Sequence, residues 1–189
     1  MPTRRCVLLR HGETEWSLDG RHTGRTDLGL LPVGEAQARA LRPSLSAYRF
    51  AAVLTSPLRR ARETCVLAGL GDTAVIDPDL AEWDYGSYEG LTTADIQLDR
   101  PGWDLFEDGV PDGESLEDVT RRVDRVIDRV RAVEGDVACV AHAHLLRVLT
   151  ARWIGLEPEV GRSLVLGPAS LSELGWDRDQ PVINTWNRH

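Results

Sequence analysis

Lysine is absent from this chain of 189 residues; all 22 basic side chains are arginine. That excludes a Schiff-base lysine and a lysine-bearing phosphate loop. Cysteine is scarce: Cys6, Cys65 and Cys139 form an odd set, each inside an apolar stretch. They read as small core residues, neither a disulfide frame nor a zinc site. No apolar run approaches membrane-spanning length, and Val7 to Leu9 is too short for a signal-peptide core, so the expected address is the cytoplasm. Excess positive charge is missing too. A formal net charge of −8 argues against nucleic-acid or anionic-membrane partners and makes any phosphate site a local positive island. Length and ordinary composition predict one domain over residues 1–189.

What is present alternates short apolar strands with helical patterns, which predicts an α/β fold. The expected architecture is a three-layer α/β/α sandwich around a mostly parallel sheet. Strands are predicted at Cys6 to Leu9, Ala51 to Thr55, Ala74 to Ile76 and Val137 to Ala141. Leu164 to Leu166, Ser170 to Leu174 and Val182 to Thr185 are late strand candidates. One helix opens at Pro32, with Val33, Ala36, Ala40 and Leu41 as its inner face, and another opens at Pro57 and closes at Gly69. A third follows a capping box at Ser115 to Asp118, its arginines and aspartates forming a solvated face. A fourth carries Leu145, Val148, Leu149 and Trp153. Residues 84 to 114 read as a short lid-like segment. Within it Trp103 and Phe106 either contact substrate or pin the loop to the body.

Three strands end on polar residues: Arg10-His11, Thr55-Ser56 and Ala141-His142. Ligands of parallel sheets gather at the carboxyl ends of strands, so these residues are expected to meet at one rim. An imidazole is a competent covalent catalyst near neutral pH. Beside it, Arg10 brings the side chain best suited to phosphate oxygens. Gly12 permits a sharp turn and the close approach of an anion. Arg60, near a helix start, adds to the same positive site.

Leu9-Arg10-His11-Gly12-Glu13-Thr14 and Arg21-His22-Thr23-Gly24 together resemble the histidine phosphatase (phosphoglycerate mutase-like) superfamily. Ser56-Pro57-Leu58-Arg59-Arg60-Ala61, Leu80-Ala81-Glu82-Trp83-Asp84-Tyr85-Gly86 and Ala141-His142 extend the resemblance in order and spacing. It implies that His11 is the nucleophile that becomes phosphohistidine. Arg10, Arg60 and His142 would clamp the phosphoryl oxygens, and Glu82 would protonate the leaving oxygen. Ser17 falls where relatives often carry a phosphate-touching asparagine, and Thr23 and Gly24 belong to the neighbouring substrate loop. His22, Tyr85 and Tyr88 are further candidates for contact with the leaving group. One departure is Ala143, where relatives commonly have glycine; its methyl would narrow the substrate site slightly. His144 reads as a supporting or substrate-facing residue, or with His142 as a metal pair, for which no further ligands are visible.

Two arginines and a second histidine supply fixed positive charge without a metal, so no cofactor is expected. The predicted activity is hydrolysis of a small phosphate monoester, a sugar or nucleoside phosphate, closest to the acid phosphatase and sugar-bisphosphatase branch. Alternatives are mutase-type phosphoryl transfer and dephosphorylation of protein phosphohistidine or phosphotyrosine. The resemblance implies that mutases carry a longer basic insertion. Here Leu91 to Glu114 is short and acidic, which favours hydrolysis. The assembly is left open between monomer and homodimer.

Overall fold

A computed structural model describes residues 4–189. The elements run β1 (Cys6–Arg10), α1 (Glu15–Leu18), α2 (Pro32–Ala40), α3 (Arg42–Leu45), β2 (Phe50–Thr55), α4 (Arg59–Leu67) and β3 (Ala74–Ile76). They continue with α5 (Thr93–Asp99), α6 (Leu105–Asp108), α7 (Leu116–Ala132), β4 (Asp136–Ala141), α8 (Ala143–Trp153), β5 (Leu171–Asp177) and β6 (Gln180–Arg188). The six strands lie in the order β3-β2-β4-β1-β5-β6. β1, β2, β3 and β4 pair in parallel, whereas β5 joins antiparallel and forms a hairpin with β6. The sheet is therefore mostly parallel, as the alternating pattern predicts.

Successive side chains of a strand point to opposite faces, and both faces here are covered. Cys6, Leu8, Val137 and Cys139 pack against α7 and α8. Val7, Leu9, Ala138 and Val140 pack against Leu41, Leu45, Ala61 and Cys65 on the other side. Every residue of β4 is buried, the expected state of a central strand. All three cysteines are free and buried.

Some local expectations shift. The buried residues of α2 are Gly34 and Ala38, continued by Leu41, while Val33, Ala36 and Ala40 are exposed. The cause is backbone contact. A Cβ on Gly34 would lie 2.2 Å from the Glu13 carbonyl oxygen, and one on Gly12 would lie 2.4 Å from that of Gly34. Helix α2 thus rests directly on the loop after β1, and only glycine allows it. Helix α4 starts at Arg59, because the Ser56 hydroxyl accepts from the Leu58 N–H at 3.2 Å and holds residues 56 to 58 as a turn. Gly69 closes that helix at φ +84°. Leu164 to Leu166 is not a strand; it follows a turn of 3-10 helix at Pro158–Ser163.

The 84–114 segment is anchored in the interior. Trp103, Leu105 and Phe106 belong to the core beneath α7 and α8, and the Trp103 indole N–H donates to the Gly109 carbonyl at 2.9 Å. Of the two readings of Trp103 and Phe106, the structure carries the pinning one. Among the described residues, no helix is long and apolar enough to cross a membrane.

Candidate active site

Strand register builds the site. Arg10 on β1 pairs with Ala141 on β4, and Thr55 on β2 with Val140. The residues just beyond, His11, Ser56 and His142, therefore emerge side by side. The His11 N–H donates to the Ala141 carbonyl at 3.0 Å and the Ser56 N–H to the Val140 carbonyl at 2.9 Å. The His11 and His142 rings face each other with centroids 5.1 Å apart.

The His11 ring is held by its Nδ1, 2.7 Å from the Gly12 carbonyl. A carbonyl only accepts, so Nδ1 carries the proton and Nε2 keeps its lone pair. Burial, with Arg60 and Arg10 alongside, holds the imidazole well below the ordinary histidine range. It is thus neutral at physiological pH, as a nucleophile must be.

Arg60 is fully buried. Its guanidinium donates to the carbonyls of Thr26 at 3.0 Å, Thr23 at 2.8 Å and Gly24 at 3.0 Å, and through Nε to His142 Nδ1 at 3.2 Å. One arginine thereby ties the loop after α1 to the end of β4. His142 completes its bonding with Nε2 against the Ser56 hydroxyl at 2.7 Å. Burial and Arg60 hold this imidazole well below its usual range too. Arg10 spends one terminal nitrogen on the Leu166 carbonyl, while its Nε is buried with no protein partner among the described residues. Burial lowers both guanidinium groups, yet an arginine stays charged in a protein.

Glu82 closes the arrangement. His142 is the N-cap residue of helix α8 and its side chain makes no cap bond. The Glu82 carboxylate takes that place, accepting from the N–H groups of Leu145 at 2.9 Å, His144 at 3.1 Å and Trp83 at 3.0 Å. A helix N-terminus favours an anion. Two of these bonds fall on Oε1 and one on Oε2, which leaves Oε2 the freer oxygen to carry a proton.

Arg122 on α7 fixes the backbone behind it, donating to the Asp79, Ala81 and Glu82 carbonyls and to the Glu114 carboxylate. Reading the charged side of α7 as solvated overlooked this residue, which is buried. The signal was available: Arg122 lies three residues after Val119 and four before Val126, inside the apolar stripe. Ser56 stands at the rim as expected, while Arg147 was overlooked. Arg147 donates to the Gly161 and Arg162 carbonyls at 2.8 and 2.7 Å and lies over the Phe106 ring. Its guanidinium is among the charges that act on His144 and Arg10.

The remaining candidates divide. His22, Tyr85 and His144 form one wall, with His22 4.8 Å from Tyr85 and 6.0 Å from His144 between ring centroids. Burial pulls His22 down to about 4. The Tyr85 hydroxyl meets His144 Nδ1 at 2.6 Å. Tyr88 lies edge-on to Trp103 and accepts from Arg100 at 3.3 Å. Ala143 is the first residue of α8, half-buried. Thr23 and Gly24 turn their carbonyls to Arg60, while the Thr23 hydroxyl bonds to the Arg21 carbonyl. Ser17 is placed otherwise. Its hydroxyl is spent on the capping box of α1 with Thr14 and on the Glu13 carboxylate at 2.8 Å.

No group of three or more His, Cys, Asp or Glu side chains among the described residues could hold a metal. A hollow of about 830 Å³ lies at the opposite end of the sheet, lined by Arg4, Arg5, Arg131 and Arg178 with two tryptophans. Arg4 pairs with Glu134 and Arg5 with Asp136 and Glu173, Arg131 lies over the two tryptophan rings, and Asp179 stands on the same wall. It therefore offers an anion little net charge.

The sequence profile of the histidine phosphatase superfamily (branch 1) matches residues 6–189. An acid phosphatase of Mycobacterium tuberculosis is 40% identical over 179 residues, covering 92% of this chain and 87% of that protein. The sedoheptulose 1,7-bisphosphatase of Saccharomyces cerevisiae is 38% identical over 189 residues, covering 82% and 69%. A solved structure of an open reading frame product of Mycobacterium tuberculosis superposes with a TM-score of 0.93 at 36% identity, covering 98% of this chain and 97% of that one.

Proposed function

The chain belongs to the histidine phosphatase superfamily and is a phosphatase, and from that premise we propose that it hydrolyses small phosphorylated metabolites, sugar or nucleoside phosphates, through a phosphohistidine on His11. One observation carries the reading: a neutral imidazole with a free Nε2 lone pair stands within the field of Arg10 and Arg60, with Glu82 acting on both guanidinium groups.

The residues divide the work. His11 Nε2 forms a bond to phosphorus as the ester P–O bond breaks. Arg10, Arg60 and His142 meet the negative charge spread over the equatorial oxygens, which is where most catalysis of phosphoryl transfer lies. Glu82 gives its proton to the departing oxygen, then takes one from water as that water attacks phosphorus and releases the imidazole. General acid catalysis of this kind is worth about 10²–10⁴-fold.

Hydrolysis is favoured over mutase transfer by the 91–114 stretch. Asp95, Asp99, Asp104, Glu107, Asp108, Asp112 and Glu114 oppose Arg100 alone, and Arg100 is itself engaged by Asp108. The two relatives, an acid phosphatase and a sugar bisphosphatase, support the same direction. The test is a panel of sugar phosphates, bisphosphates, nucleotides and phosphoglycerates without added metal. Release of inorganic phosphate, with an acid-labile phosphoenzyme lost in His11→Ala, is expected. Interconversion of phosphoglycerates without net release would overturn the reading.

A further inference from the structure

Resting on the phosphatase reading above, we propose that His144 Nε2–H, oriented by Tyr85, selects a leaving group that carries a hydroxyl beside the ester carbon. The tautomer follows from the hydrogen bonds. Tyr85 is buried, and its hydroxyl has one partner among the described residues, His144 Nδ1 at 2.6 Å. Had Nδ1 carried the proton, the phenolic hydrogen would be buried with nothing to accept it, a cost of about 1–3 kcal/mol. The phenol therefore donates, Nδ1 accepts, and the proton of the neutral ring lies on Nε2.

Three further features place this donor at the leaving group. The His144 backbone N–H bonds Glu82 Oε2 at 3.1 Å, so the ring belongs to the residue that touches the proton donor. The ring is wedged among Tyr85 and Phe106, each with its centroid 5.8 Å away, and His22 at 6.0 Å. His144 is half-buried, and its Nε2 has no protein partner among the described residues.

The character of the wall says what this donor reads. Burial, Arg147, His22 and Arg10 keep His144 uncharged, and His22 is neutral for the same first reason. Arg147, whose guanidinium acts on His144, already serves two carbonyls. A neutral N–H between aromatic faces suits a hydroxyl oxygen better than a second anion. Tyr85 is a positioning residue, since it acts by fixing the ring of His144.

The experiment compares glycerol 3-phosphate with propyl phosphate, a pair that differs only in hydroxyl groups, and uses p-nitrophenyl phosphate as a common reference. In the wild type, kcat/KM is expected to favour the hydroxylated substrate by about tenfold, the value of one net hydrogen bond. His144→Phe keeps the ring packing and should bring the ratio close to one. His144→Gln, which restores an N–H donor, should recover part of it. Tyr85→Phe should lower the ratio by an intermediate factor, mainly through KM. A ratio near one in the wild type, or one that survives in His144→Phe, overturns the inference and leaves the phosphatase reading standing. Failure of the wild type to hydrolyse any of the three overturns the phosphatase reading itself.

Discussion

Arg60 donates from Nε to His142 Nδ1 at 3.2 Å, while Nε2 of the same ring meets the Ser56 hydroxyl at 2.7 Å. A guanidinium cannot accept, so His142 carries its proton on Nε2. His11, facing it at 5.1 Å, carries its proton on Nδ1 because that atom meets the Gly12 carbonyl. Two neighbouring imidazoles are thus set in opposite tautomers by their backbone and arginine partners. One keeps a free lone pair and the other donates to Ser56, so the nucleophile and its neighbouring ring are held in distinct roles.

This opposition is directly measurable. In ¹⁵N-labelled protein at pH 7, long-range imidazole spectra should show His11 as the Nδ1–H form and His142 as the Nε2–H form. Both should be uncharged, since burial and nearby Arg60 depress each. Titration to pH 6 should leave the two patterns in place, whereas a free imidazole is mostly protonated there. Matching tautomers, or a charged His11 at pH 7, would refute the assignment of the nucleophilic atom.

Replacing Arg60 should harm both chemistry and fold. Arg60→Lys retains the charge but cannot span three carbonyls and His142 with a rigid fork. A loss of about 10²–10³ in kcat is expected, comparable to removing one oxyanion donor. The loop over residues 23–26 should loosen too, visible as faster amide exchange of Gly24 and Thr26. A lysine variant with near-normal kcat would mean that Arg60 is only a loop strut.

Much of this was legible in the sequence, and the reasons differ by residue. Strand ends were readable because apolar runs terminate sharply at Arg10, Thr55 and Ala141, and parallel register then brings those ends together. The capping box at Ser115 appeared as expected because it is a purely local interaction. What local pattern cannot show is contact between distant backbones. The inner face of α2 was misjudged because Gly34, with no side chain, packs on Glu13. Arg122 was misread because a charge on an amphipathic helix is usually solvated; its carbonyl partners at residues 79 to 82 lie some 40 positions away. Ser17 occupies the expected place in the chain, yet a cap four residues long claims its hydroxyl.

Glu82 offers a test that separates acid catalysis from helix capping. Glu82→Gln keeps one oxygen to accept from Leu145 and Trp83, as Oε1 does, and loses the bond from His144 to Oε2, so thermal stability should fall only modestly. Its hydrolysis of alkyl phosphates should slow by about 10²–10⁴-fold. p-Nitrophenyl phosphate, whose leaving group needs no proton, should lose far less. Equal losses on both substrates would assign Glu82 to positioning alone.

Arg122 predicts the complementary pattern. Its removal leaves the Glu114 carboxylate and three carbonyls without their buried partner. Arg122→Met should therefore lower stability by about 3–5 kcal/mol in urea unfolding, as expected when one partner of a buried ion pair is lost. The backbone of residues 79 to 82 would relax and carry Glu82 with it, so kcat on alkyl phosphates should fall as well. A variant as stable as the wild type would show that the buried bonds seen here are dispensable.

The pH dependence of stability follows from the same buried rings. His11, His22, His142 and His144 are all depressed, chiefly by burial, His22 to about 4. Unfolded, each takes up a proton near its ordinary value of 6.5, so below that pH the unfolded chain binds more protons than the folded one. Stability is then complete above pH 6.5 and declines as pH falls towards the folded values. The decline is up to about 1.4 kcal/mol per pH unit for each histidine. Carboxylates such as Asp79, which Arg125 and then Arg129 hold low, add their loss only below pH 4, outside this window. The thermal midpoint should accordingly drop steadily between pH 7 and 5, and His22→Asn should shallow the slope by removing one titrating ring. A midpoint that is flat or rises over that range would mean the imidazoles titrate alike in both states, and the neutral nucleophile would lose its physical basis.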